Sequence, residues 1–226
     1  MDKDRTIFSY KGANNHLHPD EVGLGDFDSV DFFHFTSMLD DSLMAQEKLA
    51  GYIRESGKTL LFNPASYLVK KGGRVIKPIL ESSRFLILNR EEAQILLNQE
   101  VEEKPSNRQT MEYLEGLSGM GPEGVVITDG KQDFWGYDGR DFYRGKPIIT
   151  GEEDVTGAGD GFSTGFLAGW MRTNDFRKAL STAQANAYSV VKSMGSFTSL
   201  TGIGEALRIH ESQAQNYGIE KISGVG

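Results

Sequence analysis

Phe85-Leu86-Ile87-Leu88-Asn89-Arg90-Glu91-Glu92 (FLILNREE) decides the fold class. Four consecutive apolar residues with no polar alternation predict a strand buried on both faces, and the polar residues after them predict the start of a helix over Glu91–Leu97. The same pattern recurs on either side. Upstream, TLLF (Thr59–Phe62) ends at Asn63-Pro64, behind the short apolar run DFFHF (Asp31–Phe35) and a helix capped by Asp40-Asp41-Ser42 that runs to Gly57. Val75–Leu80 reads as helical around Pro78. Downstream come a polar connection over Glu100–Asn107, a helix over Met111–Leu117 and the strand GVVIT (Gly124–Thr128). Strand, helix, strand, helix with continuous apolar strands predicts a parallel sheet sandwiched by helices.

Beyond Thr128 the pattern changes. FWGY (Phe134–Tyr137) and RDFY (Arg140–Tyr143) flank Asp138-Gly139, which predicts a hairpin with a two-residue type I′ turn. Helices are expected to about Met171, over Phe176–Lys192 and near Ile203–Asn216, and Arg5–Tyr10 (RTIFSY) reads as a further strand.

Composition narrows the function. The 226 residues are 38% hydrophobic and 25% charged, an ordinary globular balance that suits one domain. The net charge of −8 argues against a nucleic-acid groove, which needs a basic stripe. With no cysteine there is neither a disulfide framework nor a thiolate metal site. The start MDKDRTIFSYKG has no apolar signal region, and no apolar run approaches membrane-spanning length, so the expectation is a soluble cytoplasmic protein with no membrane partner. The 27 glycines are expected mainly in turns and in one loop.

That loop, Asp154-Val155-Thr156-Gly157-Ala158-Gly159-Asp160-Gly161-Phe162, carries the chemistry. Phe162, Phe166 and Trp170 recur at helical spacing, so a helix starts at or just before Asp160. The free N–H groups of a helix start attract an anion, and small residues at 157–159 let a ligand approach the backbone. A carboxylate beside an anion hole repels a simple phosphate ligand but suits phosphoryl transfer. Asp160 would take the proton of an attacking hydroxyl while the Gly157, Ala158 and Gly159 amides stabilise the moving phosphoryl group. The plain structural alternative is a helix cap in a glycine-rich turn. The loop fits neither the P-loop nor the G-x-G-x-x-G pattern.

DVTGAGDGF resembles the DTxGAGD signature of ribokinase-like (PfkB-type) carbohydrate kinases, with Val155 where Thr is usual. Asn89-Arg90-Glu91-Glu92 is similar to the family's N-x-x-E motif, VVITDG (Val125–Gly130) to its T-x-G strand, and Ala185-Asn186-Ala187 through Gly195 to the helix and turn beside its adenine pocket. RTIFSYKGAN looks like the strand before its central sheet. The resemblance implies a three-layer α/β/α sandwich with a mostly parallel sheet, a single domain over residues 1–226, and an ATP-dependent kinase of a sugar or sugar-like substrate.

Residue by residue, the resemblance implies Asp160 as base and Gly157, Ala158 and Gly159 as anion hole. Asn89 and Glu92 would organise Mg²⁺ and phosphates through water, and Thr128 and Gly130 would meet phosphates and ribose. Asn186 would contact adenine, with Gln184 the alternative when residues are counted back from Gly195. Asp154, Thr156, Gly195 and Ser199 fall where many relatives bind a monovalent cation such as K⁺. Met1 enters partway through the family pattern, so the first strands, a Gly-Gly sugar turn and part of a lid are expected before it, in a longer protein or a second chain. A shortened chain is expected to expose apolar surface and to associate as a homo-oligomer, a dimer in the simplest case. The alternatives are a nucleoside kinase of the same family and a nucleotide-binding regulatory module without turnover.

Overall fold

A computed structural model describes residues 10–148, 157–192, 202, 204–205, 208 and 218–222. Among the described residues seven strands form one sheet in chain order: β1 (Phe32–Phe35), β2 (Thr59–Phe62), β3 (Phe85–Asn89), β4 (Gly124–Thr128), β5 (Phe134–Tyr137), β6 (Phe142–Gly145) and β7 (Glu220–Ile222). β1 to β4 are parallel neighbours, and β5, β6 and β7 join antiparallel. Every residue of β2 is buried, as are the first four of β3 and of β4. The continuous apolar strands therefore have cover on both faces.

The cover is two helical layers. Leu60, Phe62, Leu86, Leu88, Val125 and Ile127 point into a core shared with α1 (Asp40–Glu55), α3 (Gly73–Leu80), α4 (Arg90–Leu96) and α5 (Asn107–Ser118). The short α2 (Ser66–Val69) adds Leu68 and Val69. Leu61, Phe85, Ile87 and Val126 point the other way, against α6 (Ala158–Thr173) and α7 (Phe176–Val191). This is a three-layer α/β/α sandwich in the arrangement read from the sequence.

α6 and α7 pack very closely, and glycine is the reason. A Cβ at Gly165 would lie 2.8 Å from the Asn186 Cβ and 3.0 Å from the Ala183 Cα. Gly161 and Gly169, one turn away on either side, stand in the same row. These helix glycines serve packing, a role that the expectation of turn and loop glycines does not include.

The hairpin differs from its predicted form. Tyr137 pairs with Phe142, which leaves residues 138–141 as the connection instead of Asp138-Gly139 alone. A type I′ turn needs positive φ at both central residues, and here Gly139 has φ +89° while Asp138 and Arg140 are not in the left-handed region. The Asp138 carboxylate organises the loop instead, accepting hydrogen bonds from the Arg140 and Asp141 amides at 3.0 and 2.7 Å. Apart from Tyr10, the predicted strand Arg5–Tyr10 lies outside the described residues, as does most of the predicted helix over Ile203–Asn216.

Candidate active site

Parallel strands end on a common edge, and open α/β sheets bind ligands beyond the carboxyl ends of their strands. Asn89 and Thr128 are register partners at that edge. β3 turns there into α4 through a full capping box. The Asn89 Oδ1 accepts from the Glu92 amide at 2.9 Å, and the Glu92 Oε2 accepts from the Asn89 amide at 2.9 Å. The Glu92 Oε1 accepts from the Ser66 hydroxyl at 2.8 Å. Glu92 is only 6% exposed. Burial pushes its carboxyl above the ordinary carboxylate range, against the pull of the Asn89 and Ser66 hydrogen bonds.

The turn after β4 is tied to the same corner. Arg90 forms an ion pair with Asp129 at 3.0 Å, a tether that sequence reading passed over because Arg90 falls at a variable position of N-x-x-E. Gly130 follows with φ +56° and open space where a Cβ would be.

α6 begins across a gap from this turn. Gly157 precedes it with φ +83° in the left-handed region, and among the described residues no side chain caps the helix. Gly159 again faces open space, and Asp160 is exposed in the first turn. Between the β4 turn and α6 lies a pocket of about 390 Å³. Thr128 and Gly130 line it on one side, Ala158 and Gly159 on another, and Phe134, Ile148, Phe162 and Val191 give it apolar walls. A few polar groups in an apolar slot beside an uncapped helix start suit a ligand with a flat ring at one end and an anion at the other.

Of the two candidates on α7, Gln184 lines this pocket and Asn186 does not. The Asn186 amide donates to the Gly161 carbonyl at 2.7 Å, between the two close-packed helices. The Gln184 amide donates to the Lys146 carbonyl, which fixes it against the pocket wall. Asp154, Thr156, Gly195 and Ser199 lie outside the described residues. Among the described residues there is no cluster of three or more side chains able to hold a metal. His34 on β1 is a further residue that sequence reading missed. A histidine in an apolar strand gives no signal of its own, and burial holds its ring below the ordinary histidine range, against a smaller upward pull from the Asp160 charge.

Residues 1–201 match the pfkB family of carbohydrate kinases. The chain belongs to that family. A curated relative, an uncharacterized sugar kinase of Archaeoglobus fulgidus, is 26% identical over 77% of this chain and 66% of its own length. An ATP-dependent ribose-1-phosphate kinase of Halopiger xanaduensis is 27% identical over 81% of this chain and 56% of its own length. The chain thus spans less than two thirds of the length of these curated relatives. Among solved structures, a protein described as a ribokinase II from E. coli, in complex with ATP and Mg²⁺, superposes with a TM-score of 0.74 at 19% identity, covering 91% of this chain and 67% of its own. Arabidopsis thaliana ribokinase complexed with ribose and ATP gives 0.71 at 18% identity, covering 83% and 58%. At these identities the superpositions establish the pfkB-type fold. Among the described residues no helix is long and apolar enough to cross a membrane.

Proposed function

We propose that this chain carries the nucleotide-binding and catalytic part of a kinase that transfers the γ-phosphoryl group of ATP to a hydroxyl of a sugar. The observation that carries the reading is the start of α6, where a left-handed glycine and no cap among the described residues set an exposed carboxylate, Asp160, beside Gly159 and an apolar pocket. The apolar walls and Gln184 receive the base, and Thr128 and Gly130 face the ribose and phosphates. Asp160 takes the proton from the acceptor hydroxyl as its oxygen attacks phosphorus, while the amides at 157–159 stabilise the charge spread over the phosphoryl oxygens. ATP supplies the phosphoryl group, and Mg²⁺ neutralises its charge. Glu92 organises the ion through water, with Asn89 beside it. The resemblance adds a monovalent cation, K⁺, at Asp154, Thr156, Gly195 and Ser199.

A nucleoside acceptor is the second reading. It is favoured by a nucleoside kinase of Methanothermobacter thermautotrophicus that is 33% identical over 100 residues, 44% of this chain and 32% of its own length. A homodimer is the proposed assembly. Among the described residues β1 ends the sheet, and an open strand edge favours pairing.

A thermal-shift series separates the readings. ATP alone should raise the melting temperature. D-ribose, D-fructose or adenosine should add a second rise with MgATP present, and the acceptor that does so should release ADP in a coupled assay. A response to ATP with none to any acceptor would leave a nucleotide-binding regulatory module in place of a kinase.

A further inference from the structure

Residues 129–133 join β4 to β5 and stand between two cavities. Asp129, Gly130, Lys131 and Gln132 line the apolar pocket on the α6 and α7 side. Asp129, Gln132 and Asp133 also line a second cavity, of about 470 Å³, into which the sheet brings Ile127 and Trp135 and α5 brings Thr110. The turn thus has open space on both sides, and packing does not hold it. Its own backbone adds one short bond, from the Gln132 amide to the Asp129 carbonyl at 2.8 Å. Gly130, at φ +56°, adds conformational freedom that ordering must remove.

Two ion pairs hold the turn instead, one at each end. At its first residue, the Arg90 Nε stands 3.0 Å from the Asp129 Oδ2, a charge attraction without hydrogen-bond alignment. At its last residue, the Arg144 Nε donates to the Asp133 Oδ2 at 2.6 Å, and the Arg144 Nη2 lies 2.5 Å from the same oxygen. Both arginines are themselves anchored. The Arg90 Nη1 donates to the Glu102 carbonyl and, at 3.4 Å, to the Gln94 side chain. Arg144 lies over the ring of Trp135, its cross-strand register partner, at 5.3 Å from the ring centroid. Exposed ion pairs contribute little, because water screens them. These two are sheltered: Arg90 and Asp129 are 19% and 27% exposed, Arg144 and Asp133 36% and 21%. In every other ion pair among the described residues at least one side chain is 49% exposed or more. Scattered surface charge gives no reason for the two sheltered pairs to fall on the two ends of one turn.

We propose that Arg90 and Arg144 are positioning residues for ATP: from the second cavity they grip both ends of the 129–133 turn and so hold Thr128 and Gly130 at the ribose and phosphates. This rests on the reading of the apolar pocket as the nucleotide site. Arg90, Arg144 and Asp133 do not line that pocket, so they reach a ligand in it through the turn. A turn fixed before ATP arrives needs no ordering on binding, whereas a released turn binds only while it holds the bound form. Asp129 and Asp133 carry the same sign of charge as the phosphates, so charge alone makes them poor neighbours for ATP. Their place follows from the tether, because each is the group by which an arginine holds the turn.

Calorimetry with MgATP on the 226-residue chain, with melting temperatures in parallel, tests this. Asp133→Ala is the deciding variant. It removes a negative charge near the phosphates, so charge alone predicts tighter ATP binding. Loss of the tether predicts the opposite, a Kd for MgATP raised by about 3- to 5-fold, the scale of one partly sheltered ion pair. Arg144→Met should weaken ATP by the same factor, and Asp133→Ala with Arg144→Met should be no weaker than either single variant, because one tether is lost once. Arg90→Met with Arg144→Met releases both ends and should weaken ATP by about tenfold or more. Asp133→Asn, nearly isosteric and still able to accept, should show a smaller loss of the same sign, and it carries the test where a larger change fails to fold. A lower melting temperature with ATP binding unchanged or tightened in the Asp133 variants makes the pairs purely structural and overturns the proposal, and so do additive losses in the Asp133–Arg144 cycle; both leave the nucleotide pocket standing. If the wild type does not bind MgATP, the reading of the pocket itself fails and this proposal with it.

Discussion

α4 and α6 start on the same side of the molecule, at the edge where the parallel strands end, and they solve the same problem in opposite ways. Every helix start leaves backbone N–H groups without partners. α4 satisfies its own: Asn89 and Glu92 cap one another, and Ser66 holds the remaining Glu92 oxygen. α6 has no side-chain cap among the described residues, begins after a left-handed glycine and places its acid in the open. The difference teaches that an acidic residue at a helix start is ambiguous by itself. What separates a cap from a chemical group is whether its oxygens are already spent. Glu92 is spent and buried, whereas Asp160 is exposed with a pocket beside it.

The largest expected effect breaks the comparison on the α6 side. Asp160→Asn keeps the size of the side chain and removes the base, so turnover should fall by roughly 10²- to 10⁴-fold. Because Asp160 is exposed, the melting temperature should barely move. Activity at the wild-type level in this variant would make Asp160 a structural residue of the α6 start. Gly159→Ala sharpens the contrast. Its Cβ meets no atom of the described residues within 4 Å, and alanine favours the helix, so stability should stay level or rise by up to about 1 kcal/mol. The same methyl enters the space assigned to phosphate, a conflict worth about 1–3 kcal/mol, so calorimetry should show ATP binding weakened by about tenfold or more. Unchanged ATP affinity would place the phosphates elsewhere.

Much of this fold is legible in the sequence because a strand buried on both faces must be continuously apolar, and TLLF, FLIL and GVVIT satisfy that test at a glance. Side-chain decisions within a local frame are harder to read. The hairpin was visible, but its connection was not, because the Asp138 carboxylate binds two amides that a turn rule leaves to backbone. Gln184 and Asn186 are two positions apart, about 200° around a helix, so they face opposite ways. Only the packing of α7 on α6 shows that Asn186 meets Gly161 and Gln184 meets the pocket.

The smallest expected effect tests the α4 side. Glu92 binds its proton more tightly in the folded chain than in the unfolded one, because burial penalises its charge. Its contribution to stability is therefore fully present below about pH 4.5, the unfolded value, and is lost as pH rises through the higher folded value. Glu92→Gln removes that titration. The new amide can still accept from the Asn89 amide and can donate to the Ser66 hydroxyl, so the corner stays paired. Stability at neutral pH should change by no more than about 1 kcal/mol, the usual scale of a helix cap, and the rise in wild-type stability on acidification from neutral pH should be weaker in the variant. Denaturant melts between pH 4 and 7 measure both. The same variant examines the remaining function assigned to this corner, because a carboxylate that also orders Mg²⁺ through water should raise the Mg²⁺ needed for half-maximal rate when its charge is removed. A lost pH slope with an unchanged Mg²⁺ titration would make Glu92 a cap and nothing more, and would leave the chemistry of this edge to the helix start that has no cap.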